Sequence, residues 1–205
     1  MKKLLAENYI GHPHHIRLQC FTGAYLNADA AAHWRQRIEI SGLNVLALGI
    51  YVEVLQRWFG DITGLFARGK ILHAIRQGYE VIVPDMLTVL CQFANGAEGV
   101  LEFSGINALA SGDRLEVYGE AGAMTYDFGS DAVMAGKVGD RDLHQVEITP
   151  DLEGGWHVED DFIAAVKSKG RIKPQPDFEV GVRYMRVVQA ASDSRTRNEW
   201  VEIKT

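Results

Sequence analysis

Met86-Leu87-Thr88-Val89-Leu90-Cys91-Gln92-Phe93-Ala94-Asn95-Gly96-Ala97-Glu98-Gly99-Val100-Leu101-Glu102-Phe103 decides the fold class of this chain. Leu87, Val89, Cys91 and Phe93 alternate with Thr88, Leu90 and Gln92, a period of two that puts one set on each side of a strand. Asn95-Gly96 supplies the positive backbone angles of a tight hairpin, so Met86–Phe93 and Gly99–Phe103 read as antiparallel partners.

Outward from this hairpin the same logic continues. Arg114–Tyr118 and Ala123–Phe128 flank Gly119-Glu120-Ala121-Gly122 as a second hairpin. His15–Phe21, Ile62–Ile75, Glu80–Pro84, Leu143–Ile148 and Trp200–Lys204 read as further strands. Residues 1–9 look like the end of a helix, and the long apolar run 43–59, between Gly42 and Gly60, like a helix buried between layers. His157–Ser168 carries Glu159, Asp160 and Asp161 in its first turn and Lys167 in its last, as the helix dipole prefers. Pro174-Gln175-Pro176-Asp177 then starts a helix from Phe178 to Ser194. The reading is a single α+β domain over 1–205, one large, mainly antiparallel open sheet with helices packed on one face.

Leu87, Val89, Cys91, Phe93, Leu101, Phe103, Leu115 and Val117 form the face that packs helices. Thr88, Leu90, Gln92, Val100, Glu102, Glu116 and Tyr118 form the other, mixed face, which reads either as solvated or as the contact of a face-to-face homodimer.

Composition narrows the function classes. The 205 residues hold 21 Lys+Arg against 27 Asp+Glu, a net charge of −6 with no basic run, which argues against a nucleic-acid partner. The apolar stretch after Met1-Lys2-Lys3 is too short for a signal segment and no long uncharged apolar run follows, so the chain reads as cytoplasmic with no membrane partner. Cys20 and Cys91 sit in strand runs and read as buried thiols. A compact monomer of this mass exposes roughly 9,600 Å².

No Gly-x-Gly, P-loop, Cys-x-x-Cys, His-Glu-x-x-His or Gly-x-Ser-x-Gly occurs. His12, His14 and His15 cluster beside Pro13 without carboxylate or thiolate partners at a standard spacing, so they read as a turn and no metal site is expected. Trp34-Arg35 offers an aromatic face with guanidinium donors suited to a polyol or carboxylate. Asn44, Ala47 and Tyr51 share one face if 43–59 is a continuous helix. His157, after Gly154-Gly155-Trp156, stands at a helix start, where it either caps and packs or lines a cleft.

In order and spacing, several segments together resemble the C-terminal domain of the Gfo/Idh/MocA family (glucose-fructose oxidoreductase, inositol dehydrogenase, rhizopine catabolism), also described as dihydrodipicolinate-reductase-like. They are Leu4–Gly11, Trp34-Arg35, Leu55-Gln56-Arg57-Trp58-Phe59-Gly60, Phe93–Ala97, Val117–Gly122, Asp160–Val166, Pro176–Gly181, Val187–Ser194 and Trp200–Ile203. The resemblance implies the substrate-binding and oligomerisation domain of an NAD(P)-dependent sugar or polyol dehydrogenase, whose Rossmann domain, with its Glu-Lys-Pro segment, is absent here. It implies Trp34, Arg35, Asn44, Tyr51 and His157 as substrate-side residues, and NAD or NADP only in a longer protein. The family's Asp and His, four residues apart, align with Ala47 and Tyr51; alanine cannot ionise, and tyrosine is an acid of pKa roughly 10. The chain is therefore expected to be inactive alone, as a truncated product or excised domain, and the alternative is a stand-alone, non-catalytic ligand-binding or dimeric assembly module.

Overall fold

The computed structural model describes residues 1–149 and 157–204. Its strands are β1 (Pro13–Phe21), β2 (Ile62–Lys70), β3 (Ile75–Arg76), β4 (Tyr79–Glu80), β5 (Met86–Phe93), β6 (Glu98–Ser104), β7 (Gly112–Gly119), β8 (Gly122–Asp127), β9 (Ala132–Lys137), β10 (His144–Gln145) and β11 (Val201–Glu202). Nine of them form one sheet in the order β10-β9-β8-β7-β1-β6-β5-β2-β11, while β3 and β4 make a separate ribbon. Every pairing in the large sheet is antiparallel except β1 with β6, which run parallel because the intervening chain crosses over the sheet before β6 lies down.

Alternation along each strand sorts the side chains as the sequence predicts. Ile16, Leu18, Leu87, Val89, Cys91, Phe93, Leu101, Phe103, Leu115 and Val117 are buried in one core. Against it pack α3 (Leu48–Phe59) and α5 (Phe178–Arg197), following the short helices α1 (Lys2–Ala6) and α2 (Ile38–Ser41) and, for α5, the helix α4 (Val158–Lys167). The opposite face carries a row that crosses seven strands in register: Phe66, Leu90, Val100, Arg17, Glu116, Thr125 and Met134.

Helix ends obey local chemistry. The Asp177 carboxylate accepts from the Val180 amide at 2.9 Å to start α5, and Asn198 in the left-handed region ends it. Ser194 ties α5 to the sheet, accepting from the Ala67 amide at 2.9 Å and donating to the Glu199 carbonyl at 2.6 Å.

Several expected elements are shorter than the sequence predicts. The helix read over 43–59 begins at Leu48, because Leu46 and Ala47 both adopt left-handed backbone angles (φ 50° and 61°) that an α-helix cannot continue. It buries one stripe, Leu48, Gly49, Val52, Leu55 and Phe59, and leaves Ile50 in solvent. The strand read over 62–75 stops at Lys70, the 80–84 run is loop beyond Glu80, and the 143–148 run keeps only His144–Gln145 paired. β9, rich in small residues, gives too weak an alternation to be read in advance.

Candidate functional site

One edge of the sheet concentrates the polar chemistry. Phe21, Ser104, Met86 and Lys70 are register partners in turn, and Phe21 also faces Gly112, so the loops 22–47, 71–85 and 105–111 all leave from this rim. The first turn of α3 lies here too. Asn44 shapes that start: its side-chain oxygen accepts from the Gly49 amide at 2.8 Å, and a Cβ at Gly49 would sit 3.0 Å from the same oxygen. Asn44 therefore holds the left-handed turn into α3, and with the helix beginning at Leu48 it does not share a helical face with Ala47 and Tyr51.

Tyr51 reaches under the rim and donates a hydrogen bond from its hydroxyl to Asp113 Oδ2. Asp113 occupies the inner face at the start of β7, two residues before Leu115 and opposite Cys20 on β1. The rings of Phe103 and Phe128 flank Tyr51 at centroid distances of 6.0 and 5.2 Å, the second edge-on. Burial in this aromatic cage, and then the Asp113 carboxylate, push the Tyr51 hydroxyl well above the ordinary phenol range. The neighbouring Cys20 thiol is pushed up as well, by burial and then by Asp113. Tyr51 at neutral pH is thus a hydroxyl whose own proton points at a carboxylate and whose oxygen keeps a lone pair for another donor.

A second polar group holds the loop above. Asp85, fully buried, accepts from Gln36 Nε2 at 2.6 Å through one oxygen and from the amides of Leu72 and His73 at 2.7 and 3.4 Å through the other. Gln36 in turn accepts from the His33 amide at 3.0 Å, and the His33 ring accepts from the Arg35 amide at 3.2 Å. Burial, then the Arg35 charge, lowers the His33 pKa. Arg76, equally buried, donates to the carbonyls of Asn27 and Tyr25, and the Tyr25 ring lies against Gly105 where any Cβ would clash at 2.2 Å. This scaffold presents Trp34, 47% exposed, with the Arg35 guanidinium stacked 4.2 Å above its ring.

Of the sequence-predicted residues, Tyr51 lies in the rim and Trp34 and Arg35 on the loop that rises from the same edge. His157 stands apart, exposed at the start of α4 and making no capping hydrogen bond with its side chain; Gly154, Gly155 and Trp156 lie outside the described residues. His14 Nδ1 sits 3.2 Å from the Tyr118 carbonyl, and among the described residues no three His, Cys, Asp or Glu side chains converge as metal ligands. Thr88, Leu90, Gln92, Val100, Glu102 and Tyr118 all lie on the outer face, far from the rim groups in orientation, with Leu90 and Tyr118 exposed. Sequence reasoning missed Asp113 and Asp85. The first could have been found by counting back two from Leu115 on the inner face; the second sits in Val83-Pro84-Asp85, which reads as an ordinary turn.

The sequence profile of the GFO/IDH/MocA C-terminal domain matches residues 1–125. This chain belongs to that family. No curated protein sequence matches it. Among solved structures it is similar to an oxidoreductase domain protein from Kribbella flavida, with 24% identity and a TM-score of 0.86 over 100% of this chain. It is similar also to levoglucosan dehydrogenase in complex with NADH and levoglucosan, with 21% identity and a TM-score of 0.85 over 100% of this chain. An inositol dehydrogenase homolog complexed with NAD+ from Azotobacter vinelandii shows 17% identity and a TM-score of 0.80 over 98% of it. This GFO/IDH/MocA domain spans 62% of the first two chains and 60% of the third. At these identities the likeness is one of fold, and it bears out the α+β open sheet.

Nicotinamide nucleotides in the similar structures need a phosphate cradle, and the residues of this chain do not fit one: the sequence holds no Gly-x-Gly loop leading into a helix. No described helix is long and apolar enough to cross a membrane.

Proposed function

We propose that this domain is the substrate-side and assembly half of an NAD(P)-dependent dehydrogenase acting on a sugar or polyol, inactive without a nucleotide-binding domain. The Tyr51–Asp113 hydrogen bond is the observation that carries this reading. Dehydrogenation of an alcohol releases the hydroxyl proton as hydride leaves the carbon, so a proton acceptor must stand at the substrate oxygen. Tyr51 can accept the substrate proton on its oxygen while passing its own to Asp113, which supplies an ionisable group that Ala47 does not. Trp34 and Arg35 suit the apolar face and the oxygens of a polyol. Asn44 orients the α3 start, and His157, exposed at the start of α4, is the remaining substrate-side candidate.

The outer face supports a homodimer, with Leu90, Val100 and Tyr118 as its apolar centre and Thr88, Gln92 and Glu102 around them. Free, buried Cys20 and Cys91 suit the reducing cytoplasm, where we place the protein.

The DNA preceding the Met1 codon tests this reading. A continuous frame encoding a strand, Gly-x-Gly-x-x-Gly and later Glu-Lys-Pro supports it, and the protein made from that frame should then form NADH with some member of a polyol panel. In that protein Tyr51→Phe should lower kcat and flatten its pH profile, and an unchanged kcat would remove Tyr51 from the chemistry. A stop codon and ribosome-binding site before Met1 would instead favour the second reading, a stand-alone binding or assembly module, which the loss of an ionisable group at Ala47 already suits.

A further inference from the structure

Among the described residues, α4 and the first half of α5 leave apolar side chains in solvent. α4 is a ten-residue helix in which only Ala165 is buried, while Val158, Phe162 and Val166 recur every four residues as a stripe in solvent, with Ile163 beside it. Helices shorter than about 12–15 residues are marginal in water unless an apolar face is packed. The first half of α5 repeats the pattern: Phe178, Val182 and Met185 form an exposed stripe, Phe178 at 93%, whereas Val187, Val188, Ala190 and Ala191 in its second half are buried. Beside that stripe runs a groove of about 400 Å³ lined by Phe178, Val182, Glu179, Arg183 and Arg186.

Surface area and charge both bear on what covers these stripes. The chain exposes 11915 Å², about a quarter above the roughly 9,600 Å² of a compact monomer of its mass. The two stripes, with Phe162 59%, Val166 62% and Phe178 93% exposed, contribute to that surface, and a stable interface takes roughly 800 Å² from each partner. Charge adds direction. The α4 stripe is bordered by Glu159, Asp160 and Asp161, and the α5 groove by Arg183 and Arg186 against the single Glu179.

We propose that a second copy of this chain covers this surface, with α4 of each copy seated in the α5 groove of the other. Opposite charges on two stripes of one molecule make the surface self-complementary, which a two-fold contact requires and docking of an unrelated domain does not. Phe162 and Val166 would enter the groove beside Phe178 and Val182, and Glu159 and Asp160 would meet Arg183 and Arg186 at its rim, a helix laid in an apolar groove. The contact is separate from the sheet face and does not depend on the reaction.

Light scattering on the full chain tests it at micromolar concentration, using Leu90→Lys to remove any pairing through the sheet. Leu90→Lys protein should have the mass of a dimer, and adding Phe178→Asp, a change at a nearly fully exposed side chain, should halve that mass with the circular dichroism unchanged. Adding Glu159→Arg should also halve it, and Glu159→Arg together with Arg183→Glu should restore the dimer. A Leu90→Lys protein that is already monomeric, or one whose dimer ignores Phe178→Asp, overturns the proposal and leaves the face to a nucleotide-binding domain. Should Leu90→Lys fail to fold, the same halving is read from Phe178→Asp in the otherwise unchanged chain.

Discussion

On the outer face of the sheet Arg17 meets Glu102 at 3.0 Å and Glu116 at 3.8 Å, and Arg114 meets Glu116 at 3.2 Å, all through side chains that remain partly in water. At the rim of the inner side Asp85 is fully buried and carries three hydrogen bonds, and Tyr51 is caged by two rings and bonded to Asp113. The two regions use the same kinds of group under opposite dielectric conditions. In water an ion pair exchanges one good partner for another and gains little. Under the rim, a donor or acceptor that loses its partner has less water to replace it, and at fully buried Asp85 none, so the geometry is enforced by the cost of breaking it. That difference suits one region to hold a site rigid and the other to adapt to a contacting surface.

The largest effect that would break this contrast is at Asp85. Asp85→Ala strands Gln36 Nε2 and two backbone amides, so it should destabilise the fold by about 3 kcal/mol in urea unfolding. Hydrogen exchange at residues 33–36 should accelerate with it, because the Trp34-Arg35 loop hangs on Gln36. A loss under about 1 kcal/mol, the value for an exposed pair, would show that water reaches Asp85 and that the rim is no more rigid than the outer face.

A middle effect is expected at Tyr51. Tyr51→Phe keeps the ring packing and removes the bond to Asp113, so it should cost about 1–1.5 kcal/mol at neutral pH. The pH sign follows from the raised hydroxyl. Unfolded tyrosine ionises near pH 10, folded Tyr51 does so only above that, and Tyr126 is pushed up to about 12, by burial and then by its bond to Asp131. Their contribution is complete below pH 10 and is lost as pH rises through the folded values, so unfolding in alkali should be steep and should weaken in Tyr51→Phe. Phenolate absorbance that rises in one step near pH 10 without unfolding would show Tyr51 to be solvated.

Much of this was legible in advance because it rests on period two. The strands from β5 to β8, the two faces of the sheet and the helix starting at Phe178 all follow from alternation, Asn95-Gly96 and the Asp177 cap. What was not legible depends on the backbone turning where no residue announces it. Leu46 and Ala47 are ordinary helix formers, yet they take left-handed angles in the turn that the Asn44–Gly49 hydrogen bond spans, so the sequence alone makes Asn44 a neighbour of Tyr51 on a helix that begins only at Leu48. Arg76 and Asp85 sit in turn-like sequences, and their burial comes from the loops 22–36 and 71–85 closing on each other, a long-range event. Tyr51 was placed by resemblance, but its partner Asp113 lies 62 residues away and required the register of β7.

The smallest effect sharpens the comparison most. Arg17→Met keeps much of the aliphatic stem on the sheet and removes the charge between Glu102 and Glu116. In an isolated sheet face this should cost no more than about 0.5 kcal/mol, less still at high salt, since both carboxylates can turn to water. If two copies pair through this face, the same carboxylates are desolvated and left without their cation, and the cost rises to about 3 kcal/mol and appears as a higher dissociation constant. Unfolding measured at two protein concentrations and two salt concentrations separates the cases. A small, salt-sensitive, concentration-independent loss means the outer face is solvated and the proposed sheet dimer is wrong. A large loss confined to high protein concentration means the face works like the rim, but only after a second molecule has excluded the water.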